Sequence, residues 1–396
     1  MRFVGTTSRG IRCPILKNGD EIVSFVTDAI LKAQETEKFA FHNKDVVCVT
    51  ESLLARSQGN YCTCDHVAMD IKKKFPEGVL GIYNPILSRN RFSLNLKGIA
   101  RGAKKLYIQL TYPNDEVGNQ LVDPDAFYQS GINPWSDILD EKKYREVFGE
   151  QHHPFTGIDY VDLYREIVEA EGCEVEFLFA NNPIEILKYT KNVLTCDIHT
   201  RKRTKKILAD AGCERLYNLE DVLKEPIDGS GYNKEYGLLG SNKASEESMK
   251  LFPRDCHQVV QEIQQKLYDK TNVHFEVMIY GDGAFKDPVG KIWELADPVV
   301  SPGFTNGLIG LPNEIKIKFL ADDKFSNLSG KDLEKAIEEE IAKKNKDLKG
   351  DMSSEGTTPR QLTDLLGSLA DLTSGSGDKG TPIVLIQGYF DSYIVQ

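Results

Sequence analysis

The stretch Val277-Met278-Ile279-Tyr280-Gly281-Asp282-Gly283-Ala284-Phe285-Lys286-Asp287-Pro288 decides the fold class of this chain. Its apolar first half ends abruptly at a Gly-Asp-Gly sequence, which is the pattern of a buried strand that carries a carboxylate into the loop at its end. The flanking glycines let the backbone adopt positive φ beside Asp282. A carboxylate in such a loop suits a hard cation, and a hard cation suits phosphate chemistry. A hairpin turn is the alternative interpretation, because Asp-Gly is also a strong hairpin signal.

Further strand and helix signals alternate along the chain. Short apolar runs predict strands at 46–50, 106–110, 175–179, 193–198 and 382–389. Apolar residues at helical spacing predict helices at 22–33, 161–170, 201–206, 329–350 and from 358 onward. Between 161 and 206 strands and helices alternate, which predicts a small α/β unit with parallel pairing.

These signals predict an α+β protein with two parts. Residues 1–130 and 271–396 are expected to form a mixed α/β core, and residues 131–270 an inserted small α/β subdomain. Glycines and serines between 226 and 245 predict a mobile connection within that insertion.

Composition restricts the class of protein and its partners. The chain has 396 residues, of which 40% are hydrophobic and 28% charged, as in ordinary soluble globular proteins. A formal net charge of -11 argues against nucleic acid or an anionic membrane as the main partner. The start of the chain has no secretory signal, and no apolar run reaches membrane-spanning length. Eight cysteines without a Cys-x-x-Cys pair predict reduced thiols and a cytoplasmic location.

Polar or acidic loops follow three of the predicted strands. They are 50–52, 114–119 and 281–283. Strand ends are where α/β and α+β proteins build ligand sites, so we expect Asp115 and Asp282 to be the catalytic carboxylates and to hold one or two Mg²⁺ or Mn²⁺ ions on a nucleotide. The alternative is that each loop is only a turn. The chain has no Gly-x-x-x-x-Gly-Lys-Ser/Thr loop, so a nucleotide would be held in another way.

Two further patterns have ordinary interpretations. The sequence Cys62-Thr63-Cys64-Asp65-His66 is too tightly spaced for the usual structural zinc pairs, which favours partly buried thiols near a helix start. The basic residues of 201–206 favour a solvated helix face over a phosphate contact.

Four stretches resemble the coenzyme F420-0:L-glutamate ligase family, the gamma-glutamyl ligases of deazaflavin cofactor assembly. They are the Gly-Ile-Arg-Cys-Pro-Ile loop of 10–15 with Gly19-Asp20, the segment 45–59, the Asp282 loop, and the Gly-Thr-Pro-Ile-Val-Leu-Ile-Gln-Gly sequence of 380–388. The chain is similar to a divergent member of this family with a central insertion.

The resemblance implies an amide-forming ligase that works as an intertwined homodimer. Such an enzyme joins an amino acid, glutamate in the family, to a carboxylate substrate through an acyl phosphate made with GTP and divalent metal. Carried over to this chain, the metal residues fall on Asp115 and Asp282. The residues expected to bind the nucleotide are Gly10, Ile11, Pro14, Thr50, Ser52, Arg56, Asn119 and Gln387.

The chain departs from the family's pattern at positions that bind phosphate. Ser52 stands where the family has lysine, Gln387 where it has arginine, and Gly283 where it has threonine. Arg56 or Lys286 is the hypothesised source of the missing positive charge. These departures keep an alternative open, in which the chain is a non-catalytic or repurposed metabolite- or nucleotide-binding protein on the same fold.

Overall fold

A computed structural model describes residues 4–89, 91–153, 157–281, 284–286, 293–295, 300–344, 347–348, 350–355, 360–374, 378–392 and 394. The chain forms two compact units. Unit 1 comprises Met1–Leu54, Asp255–Gly281 and Val300–Gln396, and unit 2 comprises Ala55–Arg254 and Asp282–Val299. The predicted metal residue Asp282 lies outside the described residues.

The strands of both units, in chain order, are β1 (Thr7–Ile11), β2 (Val46–Thr50), β3 (Tyr61–Thr63), β4 (Val79–Asn84), β5 (Lys105–Leu110), β6 (Leu139–Asp140), β7 (Glu174–Phe179), β8 (Asn192–Thr195), β9 (Arg215–Asn218), β10 (Asn242–Lys243), β11 (Ser248–Lys250), β12 (Glu276–Tyr280), β13 (Ala284–Lys286), β14 (Trp293–Leu295), β15 (Gly303–Phe304) and β16 (Ile383–Gln387). The α-helices are α1 (Ile22–Glu37), α2 (Glu51–Ser57), α3 (Cys64–Lys74), α4 (Arg91–Arg101), α5 (Pro124–Ser130), α6 (Glu141–Phe148), α7 (Tyr160–Ala170), α8 (Arg201–Asp210), α9 (Cys256–Thr271), α10 (Ile317–Phe319), α11 (Gly330–Lys343) and α12 (Leu362–Ser374). The helices and mixed sheets confirm the predicted α+β class.

Unit 1 is built on a sheet whose strand order is β1-β16-β2-β12-β15. Strands β2 and β12 are parallel, and the other neighbours are antiparallel. Side chains of β2 alternate between the two faces, because successive residues of a strand point in opposite directions. Val47 and Val49 pack against apolar residues of α1 and α9, whereas Val46 and Cys48 pack against those of α12.

The parallel pair β2 and β12 brings two of the predicted polar strand ends to one edge of this sheet. Thr50 is the register partner of Tyr280, so the chain leaves both strands side by side. The strand predicted before Asp282 is therefore confirmed. Its hairpin alternative is wrong, because β12 pairs with β2 and β15, whereas β13 pairs with β14.

Unit 2 is built on a sheet whose order is β6-β7-β5-β4-β8-β9. Neighbours from β7 to β9 are parallel, as predicted, and β6 is an antiparallel edge strand. The predicted inserted subdomain spans 131–270, whereas this compact unit begins at Ala55 and its long segment ends at Arg254. The earlier start follows from the pairing, since β4 and β5 belong to the same sheet as β7 and β8.

The glycine-rich stretch 226–245 is packed, so its prediction as a mobile connection is wrong. Leu238 and Leu239 are buried in the hydrophobic core of unit 2. The buried Asn233 side chain donates hydrogen bonds to the carbonyl oxygens of Phe252 and Pro253 at 3.1 and 3.0 Å. The glycines here permit close turns of a fixed segment.

Within the described part of the chain, no helix is both long and apolar enough to cross a membrane. All eight cysteines are free thiols.

Candidate functional site

A groove of about 940 Å³ lies between β1 and α1 in unit 1. Three of the residues predicted to bind a nucleotide, Gly10, Ile11 and Pro14, line it. The basic side chains in its wall are Arg9, Arg12 and Lys32, and the apolar ones include Phe25, Ala29, Ala33 and Phe39. Asp28 and Glu37 also border the groove. A cavity of this size with an apolar wall and a few charged groups is typical of a small-molecule site.

The closing segment of the chain holds the loop that borders this groove. The Cys13 backbone N–H donates to the carbonyl oxygen of Gly380 at 3.0 Å. A Cβ atom at Gly10 would lie 3.0 Å from Cβ of Thr381, so only glycine lets the two segments approach this closely without displacement. The resemblances at the two ends of the sequence thus meet at one place in the structure.

Gln387 does not line the groove but connects two residues near it. Its side-chain amide donates to Asp45 Oδ2 at 2.6 Å and to the Ala40 carbonyl oxygen at 2.9 Å. Its oxygen accepts a hydrogen bond from the Arg9 guanidinium, which also lies over the Phe39 ring at 4.9 Å. Burial raises the pKa of Asp45, partly offset by hydrogen bonds from the His42 backbone N–H and the Gln387 amide. The glutamine thereby fixes the orientation of an arginine that faces the groove.

Three further residues predicted to bind the nucleotide lie where β2 meets α2. Thr50 is the last residue of β2, whereas Ser52 and Arg56 lie on α2. Thr50 Oγ1 accepts a hydrogen bond from the Ser52 backbone N–H at 3.1 Å, which ties the strand end to the helix. Ser52 and Arg56 are both exposed. None of these three residues is among the described residues that line the 940 Å³ groove.

Asp115 organises the loop that follows β5 in unit 2. Its Oδ1 accepts from the backbone N–H groups of Val117 and Asn119 at 3.0 and 2.8 Å. Its Oδ2 accepts from the Leu87 backbone N–H at 2.9 Å and from the Asn119 side-chain amide at 2.8 Å. Burial raises the pKa of Asp115, and the same four donors oppose that rise. Asn119 thus lies beside Asp115, and the four donors occupy both carboxylate oxygens.

Two acidic residues that the sequence analysis missed lie near Asp115. The surrounding protein raises the pKa of Glu116 to about 7, first through loss of hydration and then through the negative charges of Asp197 and Asp115. Asp197 is fully buried, and it accepts hydrogen bonds from the Thr200 N–H and from the hydroxyls of Thr200 and Thr204 at 2.9, 2.7 and 2.5 Å. The usable signal was position, since Asp197 lies two residues after the end of β8 and Glu116 lies in the loop that follows β5.

In the described part of the chain, no group of three or more His, Cys, Asp or Glu residues is arranged to hold a metal ion. The Cys62–His66 segment has a structural arrangement instead, because Thr63 caps α3 and its backbone N–H donates to His66 Nδ1 at 3.1 Å. Burial raises the pKa of Cys64 to about 11, which keeps that thiol protonated at neutral pH.

The helices and mixed sheets, with a groove of about 940 Å³ in unit 1, define an α+β protein. The model of the F420-0:gamma-glutamyl ligase family matches residues 10–388, nearly the whole chain, and the chain belongs to this family. Membership implies an amide-forming ligase. No curated protein matches the chain.

Proposed function

We propose that the chain joins an amino acid to a carboxylate substrate, with GTP as the co-substrate that activates the carboxylate as an acyl phosphate. The observation that carries this proposal is the groove between β1 and α1, which is lined by Gly10, Ile11 and Pro14. Its volume of about 940 Å³ suits a nucleotide. The family's activity requires such a nucleotide site.

The basic side chains of the groove offer positive charge that can bind phosphate. This chain lacks positive charge at two other positions, where it departs from the family's pattern. Arg9, Arg12 and Lys32 all line it, although Ser52 and Gln387 replace two basic residues of the family. Arginine and lysine neutralise phosphate oxygens, and arginine can do so through two parallel hydrogen bonds. We infer that these three residues, rather than Arg56, bind the phosphates of the nucleotide.

The proposed reaction has two steps. A substrate carboxylate attacks the γ-phosphorus of GTP, and GDP leaves as the bond to its β-phosphate oxygen breaks. The amine of the amino acid then attacks the acyl carbon and releases inorganic phosphate, which forms the amide. The basic side chains act by positioning the triphosphate and by stabilising the negative charge that moves during phosphoryl transfer.

Mg²⁺ or Mn²⁺ remains part of the proposal, but Asp115 as placed does not fit a metal ligand. Each of its two oxygens already accepts two hydrogen bonds, so a cation would have to displace N–H donors. We therefore derive no step through a metal. The expectation that Asp282 is a metal ligand falls on a residue outside the described part of the chain.

The nucleotide site can be tested by calorimetric titration of GTP and ATP, each with Mg²⁺ or Mn²⁺. In the Arg12→Gln/Lys32→Gln double variant, we expect affinity to fall by about tenfold or more, because charge-assisted hydrogen bonds to phosphate are lost. Lys17→Gln is the matched control, since Lys17 is exposed and does not line the groove. Unchanged affinity in the double variant contradicts the assignment of the groove. Asp282→Asn tests the metal separately, through loss of the metal dependence of binding and turnover.

The alternative function is a non-catalytic or repurposed metabolite- or nucleotide-binding protein. The saturated Asp115 carboxylate and the substitutions at Ser52 and Gln387 favour it. Tight nucleotide binding without release of phosphate, across a panel of amino acids and carboxylates, would support this alternative. The homodimer and the cytoplasmic location stay predictions, and light scattering of the purified protein measures the first.

A further inference from the structure

The amino end of β2 and the carboxyl end of β16 lie side by side in the sheet of unit 1. The two strands are antiparallel neighbours, with Val46 the register partner of Ile386. Asp45 directly precedes β2, and Gly388 directly follows β16. A cavity of about 180 Å³, which we call the Asp45 cavity, is bordered by both of these residues. None of its described lining residues lines the 940 Å³ groove, so the two cavities are separate.

The Asp45 cavity has room for a small molecule and carries charges of both signs. Its volume is several times the roughly 30 Å³ that one water molecule occupies in the liquid. Two carboxyl groups border it, from Asp45 and Asp391, and so do the basic side chains of His42 and Lys44. The ring of Phe390 completes the apolar part of its wall.

Asp45 provides the observation that points to a ligand. It is 1% exposed, and its Oδ2 accepts hydrogen bonds from the His42 backbone N–H at 2.8 Å and from the Gln387 amide at 2.6 Å. Among the described residues, its Oδ1 has no hydrogen-bond partner. Buried polar groups are nearly always paired in folded proteins, so an unpaired oxygen on a carboxyl group that borders a cavity marks the place of a missing donor.

The surroundings of Asp45 favour a donor with positive charge. Burial of a carboxylate costs free energy unless a cation and hydrogen bonds compensate it. Among the described residues, the ring of His42 is the only basic group within 4.0 Å, and it lies at Oδ2 rather than at Oδ1. Burial and, to a smaller extent, the negative charge of Asp391 raise the pKa of Asp45. A cation beside Oδ1 would offset both effects.

An ammonium group suits this cavity better than a metal ion does. Mg²⁺ and Ca²⁺ require several oxygen ligands, and no group of three or more acidic, His or Cys residues in the described part of the chain is arranged to hold a metal. An ammonium group donates hydrogen bonds and can use a single carboxylate oxygen together with water. The basic side chains of His42 and Lys44 in the same wall suit a ligand that also carries a carboxylate.

We propose that the Asp45 cavity binds the ammonium group of a small metabolite, which donates a hydrogen bond to Asp45 Oδ1. A simple amine and an amino acid share this group, and an amino acid would also offer a carboxylate to the basic side chains of the wall. The site lies entirely in unit 1 and does not depend on the ligase proposal. Gln387 connects it to the groove, because the same side chain bonds Asp45 and Arg9.

The carboxyl-carbon resonance of Asp45 reports directly on this site in the full-length protein. It is assigned by its absence in Asp45→Asn. It is then followed by NMR while methylammonium chloride, sodium glutamate or sodium glutarate is added, with sodium chloride keeping the ionic strength constant. We expect a saturable shift with methylammonium, with glutamate or with both. Glutarate should cause none, because it has the two carboxylates of glutamate without the ammonium group.

Asp45→Asn tests the role of the unpaired oxygen. The asparagine oxygen can keep both hydrogen bonds that Oδ2 now accepts, whereas its amide places a donor where Oδ1 lies. The affinity for the ligand that binds the parent protein, measured by calorimetry, should fall by about tenfold or more. Asp322→Asn is the matched control, because Asp322 is exposed in unit 1 and does not line the cavity. Equal affinity in Asp45→Asn and the parent protein overturns the proposal.

A second measurement needs no variant and therefore does not depend on the folding of Asp45→Asn. A bound ammonium group favours the ionised carboxylate, so the midpoint of the Asp45 titration should fall when the parent protein is saturated with ligand. The charges of His42, Lys44 and Asp391 are present with and without ligand, so the comparison isolates the effect of the ligand. An unchanged midpoint contradicts the proposed contact.

The three added compounds distinguish the source of the ammonium group. Shifts with both methylammonium and glutamate show that the ammonium group is sufficient. A shift with glutamate alone assigns an amino acid whose carboxylate contributes, and a shift with methylammonium alone assigns a simple amine. The absence of any saturable shift overturns the proposal, and so does a glutarate shift of the same affinity as that of glutamate.

Discussion

Asp115 and Glu116 are adjacent in sequence and have different environments. Asp115 is 6% exposed and accepts four hydrogen bonds, so its negative charge is stabilised by the loop that it organises. Glu116 lies on the same loop, where loss of hydration of its carboxyl group and the charges of Asp197 and Asp115 raise its pKa to about 7. At neutral pH one carboxyl group is therefore structural, and the other is the group able to exchange a proton.

Asp115→Asn should destabilise the protein. The new amide would point a donor at N–H groups that now donate to a carboxylate, and hydrogen bonds to charged groups contribute about 1.5–3 kcal/mol each. We expect the free energy of unfolding in urea to fall by about 2–3 kcal/mol. Asp123→Asn is the control, because Asp123 is an exposed helix cap and asparagine caps equally well. Equal loss in both variants would contradict the organising role of Asp115.

The raised pKa of Glu116 gives a pH dependence that can be measured at one atom. The carboxyl carbon of Glu116, followed by NMR, should titrate near pH 7 in the folded protein. Since this folded pKa lies above the usual value of 4.5, any contribution of Glu116 to stability is present at low pH and is lost as the pH rises toward 7. In Asp197→Asn the midpoint should fall, because a like charge is removed. A midpoint near 4.5 in the parent protein would refute this prediction.

Helices α3 and α4 approach each other closely at two glycines, Gly98 in α4 and Gly102 directly after its end. A Cβ atom at Gly98 would lie 2.8 Å from Cβ of Val67, and one at Gly102 would lie 2.8 Å from the carbonyl oxygen of Ala68. The two glycines are four residues apart, so both face α3 from the same side.

Gly98→Ala should be destabilising although alanine is the better helix former. Propensity favours alanine by about 1 kcal/mol, whereas overpacking a filled site costs about 1–3 kcal/mol. The net loss should appear in urea unfolding and should become smaller in a Val67→Ala background, which removes the Cγ1 atom 2.9 Å from the new methyl but keeps Cβ. An equal loss in both backgrounds would contradict a contribution from the Val67 methyl groups.

Several elements were predictable from sequence because buried apolar residues run through them without interruption. Strands β2, β12 and β16 are examples, since β2 and β16 are nearly continuous apolar runs. Strand β4 was missed because Gly81 interrupts it, and a Cβ atom there would lie 2.5 Å from Cγ1 of Ile186. That glycine is explained by tertiary packing, which a single sequence does not display.

The residues of the candidate site divide in the same way into those that the sequence predicts and those that only the fold brings together. The loop 10–15 was predictable because its residues are contiguous. Lys32 joins that loop only through the packing of α1. Side chains that converge from distant segments leave no local pattern, so the contribution of Lys32 to the groove emerged from the fold.

In the whole molecule, the two units differ in how many segments of the chain form them. The six-stranded sheet of unit 2 and its main hydrophobic core are formed within 55–254. Unit 1 combines three separate segments, and in its sheet β2 lies between β16 and β12.

Residues 55–254 expressed alone should fold. We expect a single cooperative urea transition by circular dichroism, because every strand of the six-stranded sheet is present. Residues 1–54 are the contrasting fragment and should be unfolded, since both neighbours of β2 are missing. A non-cooperative transition for 55–254 would contradict its independence.

The place of β16 between β1 and β2 has a consequence for biosynthesis. Domains generally fold as they emerge from the ribosome, with amino-terminal segments first. Here β1 and β2 emerge early, but the strand that separates them is made only when synthesis reaches residue 383. Unit 2 can be complete while the apolar residues of β2 still await their partners, so the nascent chain must protect an aggregation-prone segment throughout most of its translation.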